Sequence, residues 1–511
     1  TWIGKVSIGE TITELQSLGV RFQERPLQRK GGAGPAEAGF LLVEDIPVSV
    51  PMISQYVSRS PYFLKNRNGH TFLFKDGKEL FPINFISRPK FYNYSTKDGI
   101  GYKKIALLHG KDCLATSVIQ TCVYWNSPQR CRFCGIELSL KDQQTIASKT
   151  PEQLAEVALK AKELDSVKHI VLTTGSDRPP GKEIGYLSRC ASAIKEATGL
   201  PIHAQFLPPS KPDTIFELKE AGVDTVGVHI ESFDFEILSR VAPLKASIGL
   251  NRYEQTWKMA VDLFGPNQVS SFLLVGLGEK VNSVIWGSEF LSDLGVYPLI
   301  VPLRPIPGSL MEDSIPPDPE VMNYIYENVA GILRKKGLSS LKSLAGCVRC
   351  GACSALPAFE QAPDKLICHP VRNKDELSKA LEIRKEVFVL EQKIFKDSDL
   401  DENDHKSIHI VAKSDGKIIG TVRVFPSNTG NGHWIGGRLA VRKGHRISYA
   451  GELLVREAMR YVKRQDCTRF TAHIQQKNVR FFSKLGWKSV GPVEDYFGLP
   501  HQLMEADLEQ V

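Results

Sequence analysis

Residues 121–137 read TCVYWNSPQRCRFCGIE. Cys122, Cys131 and Cys134 fall within this stretch, with eight residues between the first pair and two between the second. Aromatic Phe133 stands directly before the last cysteine. Thiolates at such spacing hold soft metals, either zinc or an iron–sulfur cluster. The number of ligands matters. Structural zinc takes four protein ligands, whereas three leave one coordination position open for chemistry. A zinc knuckle closed by a distant fourth cysteine, or a set of unrelated core cysteines, is the bland alternative.

The surroundings decide how this stretch is used. From about 115 to 340, short apolar runs alternate with amphipathic segments. The runs are Ser117–Val123, His169–Leu172, Ile202–Phe206, Thr225–Ile230, Val269–Val275 and Leu299–Leu303. Between them lie helical periods such as Glu152–Leu164, Leu187–Ala197 and Tyr253–Leu263. Alternating strands and helices imply βαβ units on a parallel sheet. Six units make an incomplete α/β barrel or a doubly wound sheet, and both bind ligands at the carboxyl ends of the strands. Cys122 is then expected to end the first strand.

The whole chain has 511 residues, enough for about three domains. Its 42% hydrophobic and 24% charged content excludes disorder as the main state. No apolar run reaches the ~18 residues of a membrane span. The net charge of +8 is mild over this length and permits a polyanionic ligand without requiring one. Six of ten cysteines sit in two tight groups, a pattern of metal ligation in a reducing, cytoplasmic compartment rather than of disulfides. The first residues lack a secretory signal, and a chain starting at Thr1 is expected to miss an initiator segment or transit peptide. The expected domains are a mixed α/β extension at 1–110 without chemistry, the barrel at 111–340, a cysteine-rich segment at 341–366 and an α+β domain at 367–511. Lys30–Ala38 reads as a loop.

With strands and cysteines in place, the chain resembles the radical S-adenosylmethionine (SAM) superfamily. The resemblance implies an α/β fold with a partial (β/α)6 TIM-like barrel. It implies that Cys122, Cys131 and Cys134 hold a [4Fe-4S] cluster whose open iron binds SAM. The family spacing is Cys-x3-Cys-x2-Cys, and the longer first gap here departs from it. Thr174, Gly175, Ser176 and Asp177 match the turn that binds the SAM amino group. Glu231, after strand four, matches a ribose ligand. Gly276 and Glu279 match the adenine-contacting segment after strand five. Arg304, ending strand six, is a candidate to neutralise a carboxylate or a partner in a surface ion pair.

A second run, Gly346–Cys353, reads GCVRCGAC and brings Cys347, Cys350 and Cys353 together. Small neighbours leave room for a second iron–sulfur cluster, and Cys368 downstream offers a fourth ligand that would equally close a zinc site. Cys113, Cys190 and Cys467 are solitary and read as packing residues.

After residue 370 the order is a helix (Glu376–Glu391), strands (His409–Lys413, Lys417–Phe425, Gly436–Val441), a helix (Gly451–Lys463), a strand (Arg469–Ile474) and a short helix (Asn478–Leu485), around a central antiparallel sheet. This order resembles the GCN5-related N-acetyltransferase (GNAT) family, which implies acetyl-CoA or another acyl-CoA. Leu439, Val441, Arg446, Gly451 and Asn478 match its cofactor-binding positions, and a helix N-terminus there would favour a pyrophosphate. Tyr449 replaces the family's middle glycine. The family's general-acid tyrosine falls on Phe482, which leaves Tyr449 or His473 as acid candidates, or a degenerate binding module.

The signatures CRFCGIELSL, VGVHIESFD, AGCVRCGACSAL and GLPHQLM resemble the radical SAM protein of bacterial nitrilase-associated gene clusters, here joined to a GNAT domain. The resemblance implies radical functionalisation of a small nitrogenous metabolite, acyl-CoA-dependent N-acyl transfer, and an electron donor such as ferredoxin or flavodoxin. Membrane partners are not expected. The alternatives are tRNA modification like that of the Elongator catalytic subunit and a zinc-stabilised scaffold. Against nucleic acid stand the missing Cys-Pro-Gly-Gly continuation after Cys134 and the lack of a dense basic patch in the first hundred residues.

Overall fold

The computed structural model describes residues 8–22, 38–361, 367–414, 417–429, 431–446 and 450–510. It divides into two compact units, Thr1–Ala362 and Pro363–Val511. The region read as a loop at Lys30–Ala38 falls almost wholly outside the described residues.

The first unit is built on six parallel strands: β1 (Cys113–Ser117), β2 (His169–Thr173), β3 (Ile202–Gln205), β4 (Thr225–Gly227), β5 (Val269–Val275) and β6 (Tyr297–Pro302). They pair in sequence order, and Leu107–His109 adds an antiparallel edge beside β1. The result is a curled, parallel-rich sheet, a half-barrel. Helices such as Pro151–Asp165 connect the strands. That helix begins at a capping box in which Thr150 and Gln153 satisfy each other's backbone N–H groups.

The first strand lies earlier than its apolar run suggests. Cys113–Ser117 is wholly buried and pairs residue for residue with β2. Beyond it the chain leaves the ladder: Gln120 N–H donates to Ala147 O, and Ile119 O accepts from Gly175 N–H. The run Val118–Val123 is therefore extended loop held by neighbouring turns, and Cys122 sits beyond the strand rather than at its end.

Ahead of the barrel stands a five-stranded antiparallel sheet, with strands Ala38–Val43, Ile46–Pro51, Tyr62–Arg67, His70–Lys75 and Lys78–Phe85. Its hairpins turn at Glu44-Asp45, Asn68-Gly69 and Asp76-Gly77, all with positive φ. Those angles give the primed turns that match strand twist. One hydrophobic core runs from Ile12 through Trp257 to Phe359, so this sheet and the cysteine-rich segment pack with the barrel.

The second unit is a seven-stranded sheet: β7 (Ile367–Pro370), β8 (Ile408–Ser414), β9 (Lys417–Pro426), β10 (His433–Val441), β11 (Arg469–Gln475), β12 (Trp487–Tyr496) and β13 (Leu499–Ala506), ordered β7-β8-β9-β10-β11-β13-β12. Strand alternation serves two cores. Ile410 and Ala412 pack with the helix Ala450–Lys463, and Val411 packs with the helix Lys374–Arg384. The sheet is not antiparallel throughout. β10 and β11 run parallel, and they pair only over His433–Gly436 with Arg469–Ala472. Past that point the strands part.

Candidate active site

Cys122, Cys131 and Cys134 all line one cavity of about 410 Å³. Glu137 Oε1 accepts from Cys122 N–H at 3.0 Å, and Cys134 N–H donates to Cys131 O at 3.1 Å. The Arg130 guanidinium lies 3.5 Å from the Trp125 ring centroid and bonds Cys134 O. Burial pushes the Cys131 thiol up to about 12 and the Cys134 thiol to about 11. Cys134 and Cys122 lie close enough to add to the rise at Cys131, and Cys122 adds to that at Cys134. A bound cation removes that penalty and releases the protons.

The turn after β2 is laced to this segment. Val123 N–H donates to Ser176 O. A Cβ on Gly175 would stand 1.8 Å from Thr121 O, so no larger residue permits the approach. Thr174, Gly175, Ser176 and Glu231 join the cysteines in the cavity wall. Asp177, Gly276 and Glu279 do not line it. Asp177 accepts from Arg178 N–H at 2.7 Å and pairs with Lys182 at 3.1 Å. Glu279 accepts from Gly276 and Leu277 N–H groups, which closes its own turn.

Glu231 has a partner that periodicity did not reveal. Lys245 Nζ lies 2.6 Å from Glu231 Oε1 and 2.6 Å from His229 O, and both side chains are buried. Burial opposes charge on Lys245, but Glu231 beside it raises it above the usual lysine range. Glu231 is held at φ +77°, a conformation costly for a non-glycine residue and typical of functional sites. Arg304 is half-buried in the cavity wall and is not free. Its guanidinium donates to Ser49 Oγ and Ser49 O, both at 2.7 Å, and so ties the barrel to the N-terminal sheet.

The second cysteine trio opens into the same cavity. Its segment lies across the starting ends of the strands. Gly346 N–H donates to His169 Nδ1, Thr225 Oγ1 bonds Ala345 O, and Ser354 Oγ bonds Ile300 O. His109 stands between two of its sulfurs, with Nδ1 3.2 Å from Cys350 Sγ and Nε2 3.5 Å from Cys353 Sγ. Cys113 is a buried packing residue as read, but not a solitary one, because Cys350 packs against it. Cys368 belongs to β7 and packs in the core of the second unit. Among the described residues, no three His, Cys, Asp or Glu side chains converge tightly enough for a single metal ion.

In the second unit, the parting of β10 and β11 opens a cleft of about 170 Å³. Leu439, His473 and Asn478 line it, as does Phe482. Val441, Arg446 and Gly451 do not, and Tyr449 lies outside the described residues. Arg446 is engaged by Glu391 through two contacts of 2.6 Å. His473 stacks on Tyr496 at 4.9 Å, and burial lowers its pKa. Beside the cleft, Arg384, Arg423 and Arg438 interlock with Asp399, Asp401 and Asp404. This buried network carried no motif signal in the sequence.

Residues 127–285 match the family described as "Radical SAM superfamily". Residues 376–487 match the "Acetyltransferase (GNAT) family". Among curated proteins, the chain is similar to the "Putative acetyltransferase" of Bacillus subtilis (strain 168), 33% identical over 138 residues that cover 26% of this chain and 91% of that protein. It is also similar to the bacteriochlorophyllide c C-7(1)-hydroxylase of Chlorobaculum limnaeum, 28% identical over 138 residues, 27% of this chain. There the match spans 34% of the relative's length. A solved structure, Escherichia coli ElaA, aligns at 20% identity over 28% of this chain and 99% of its own, with a TM-score of 0.26. No helix among the described residues is long and apolar enough to cross a membrane.

Proposed function

We propose, for a chain that belongs to the acetyltransferase (GNAT) family in its C-terminal part and carries a radical SAM domain ahead of it, that the two parts work on a small nitrogenous metabolite. The protein is a radical SAM enzyme with a fused acyltransferase domain. In the first unit, Cys122, Cys131 and Cys134 would hold a [4Fe-4S] cluster, with SAM against Thr174, Gly175, Ser176 and Glu231. When bound and reduced by a ferredoxin- or flavodoxin-like donor, that pair supplies a 5′-deoxyadenosyl radical able to take hydrogen from an unactivated C–H bond.

The chain's own residues do the rest. Gly175 lets the turn after β2 press against the cysteine segment. Lys245 donates to Glu231 and holds the carboxylate in place to accept from hydroxyl groups. Cys347, Cys350 and Cys353 would hold a second iron–sulfur cluster in the opposite wall. In the second unit, acyl-CoA would enter where β10 and β11 part, with N-acyl transfer at the cleft. Chain segments such as AGCVRCGACSAL support a kinship with the nitrilase-associated type.

The observation that carries this reading is that three cysteines and a glycine turn meet in one cavity of a parallel half-barrel. The test is anaerobic reconstitution. The expected result is several irons per chain, with methionine and 5′-deoxyadenosine released under dithionite, and loss of that release in Cys131→Ala. Zinc without iron would overturn it and favour the scaffold reading. Retention of tRNA at physiological salt would favour the Elongator-like reading.

A further inference from the structure

We propose that the cleft of the second unit takes a weakly basic aromatic amine as its acyl acceptor, and that His501 is the base that removes a proton from the amine nitrogen. This rests on the reading of the second unit as an acyl-CoA-dependent N-acyltransferase.

The charges around the cleft select the class of amine. An alkylamine is an ammonium ion at neutral pH, and an ammonium taken out of water needs a carboxylate beside it. Among the described residues that line the cleft, none is Asp or Glu. The acids beside it, Asp399, Asp401 and Asp404, are already held by Arg384, Arg423 and Arg438. Of that network, it is Arg423 and Arg438 that line the cleft. An amine attached to an aromatic ring is uncharged at neutral pH and escapes this cost.

The side chains select a flat ring. The chain turns from β12 into β13 at Phe497-Gly498, both at positive φ. This hairpin presents Tyr496 and Phe497 to the cleft, 40% and 52% exposed. Phe395 meets Phe497 at 4.9 Å, and Tyr496 meets Phe497 edge-on at 4.5 Å. Rings of this kind pack against another ring by offset stacking or edge-to-face contact.

His501 is set for the proton transfer. It pairs with Gln475 at the end of β11, beyond the point where β11 leaves β10. Its Nδ1 lies 2.8 Å from Leu499 O. A carbonyl oxygen only accepts, so Nδ1 carries the hydrogen, and Nε2 of the neutral ring keeps its lone pair. The ring lines the cleft and meets Tyr496 edge-on at 5.4 Å. An aromatic amine is a poor nucleophile, which makes a base at the moment of attack worth most. The amine nitrogen attacks the thioester carbon, and the C–N bond forms as one N–H proton passes to His501 Nε2. The C–S bond then breaks, and that proton passes from His501 to the departing thiolate. The products are an N-aryl amide and free CoA, with no further reactant.

The test is acetyl transfer by the full chain, with acetyl-CoA as donor and aniline or benzylamine as acceptor, followed by thiol release and product mass. The expected result is a kcat/KM for aniline at least about tenfold above that for benzylamine. Phe497→Ala should raise KM for aniline about fivefold and leave kcat nearly unchanged. His501→Gln, which keeps a polar side chain, and His501→Phe, which keeps a ring, should each lower kcat by about a hundredfold with KM nearly unchanged. Preference for benzylamine, transfer to neither amine, or an undiminished kcat in either His501 variant would overturn the proposal. Calorimetry with CoA separates the two readings. Binding of CoA without transfer to aniline would overturn this proposal alone, whereas no binding of CoA would overturn the acyltransferase reading with it.

Discussion

Lys245 and Glu231 form the tightest charged contact in the cavity wall, and the contact sets its own test. Nζ and Oε1 are 2.6 Å apart, with side chains 11% and 8% exposed. At an effective dielectric of about 20, unit charges at this separation attract by about 6 kcal/mol. The cost of taking both ions out of water offsets much of that, so the intact pair contributes little net stability. Removing one member is different, because the other stays buried without a partner, at a cost of about 3–5 kcal/mol. Lys245→Met and Glu231→Gln should therefore each destabilise the first unit by about that amount. The double variant should lose less than the sum, by about 2–3 kcal/mol of coupling. Urea unfolding of the four proteins, followed by circular dichroism, measures the cycle. Strict additivity would refute the argument, since it would mean the two charges do not depend on each other.

Other perturbations probe different parts of the chain. Gly175→Ala forces a Cβ onto Thr121 O, so the segment before Cys122 must shift, and iron content after reconstitution should fall while both units stay folded by circular dichroism. Glu391→Ala frees Arg446 from its exposed ion pair and should tighten CoA binding by about two- to fivefold in calorimetry. Phe482→Ala removes a buried ring that packs on Trp487 and should cost the second unit about 3–5 kcal/mol in urea unfolding. Burial lowers the His409 pKa to about 4. Between that value and the ordinary 6.5 the unfolded chain binds the extra proton, so the stability of the second unit should rise as pH climbs through this window. His409→Gln should flatten that part of the profile of melting temperature against pH.

Much of the barrel was legible because its code is repetitive. His169–Leu172 and Val269–Val275 are apolar runs between helical periods, and both are strands. The first strand misled because Val118 and Ile119 are as apolar as the true strand, and only the β2 ladder decides where pairing stops. The N-terminal sheet carried its own signal. Asn68-Gly69 and Asp76-Gly77 are two-residue hairpin turns between β-prone runs, and they announce strands that composition alone does not. The cysteine motifs were visible by spacing. Their sharing of one cavity was not, because it depends on the segment after the last barrel helix returning beneath the strands. His109 and Lys245 carry no motif either. Each is a single polar residue whose value comes from what folds against it.

The path of that returning segment bears on the order of events in the barrel. Gly346 and Ala345 are bonded to residues at the starting ends of β2 and β4, while Cys122, Cys131 and Cys134 lie past the finishing end of β1. One end of the barrel is thus floored by protein, and the other is where SAM would settle. On the proposed reading, a molecule destined for the deeper space would be seated before SAM closes over it, and SAM arriving early would behave as a stopper.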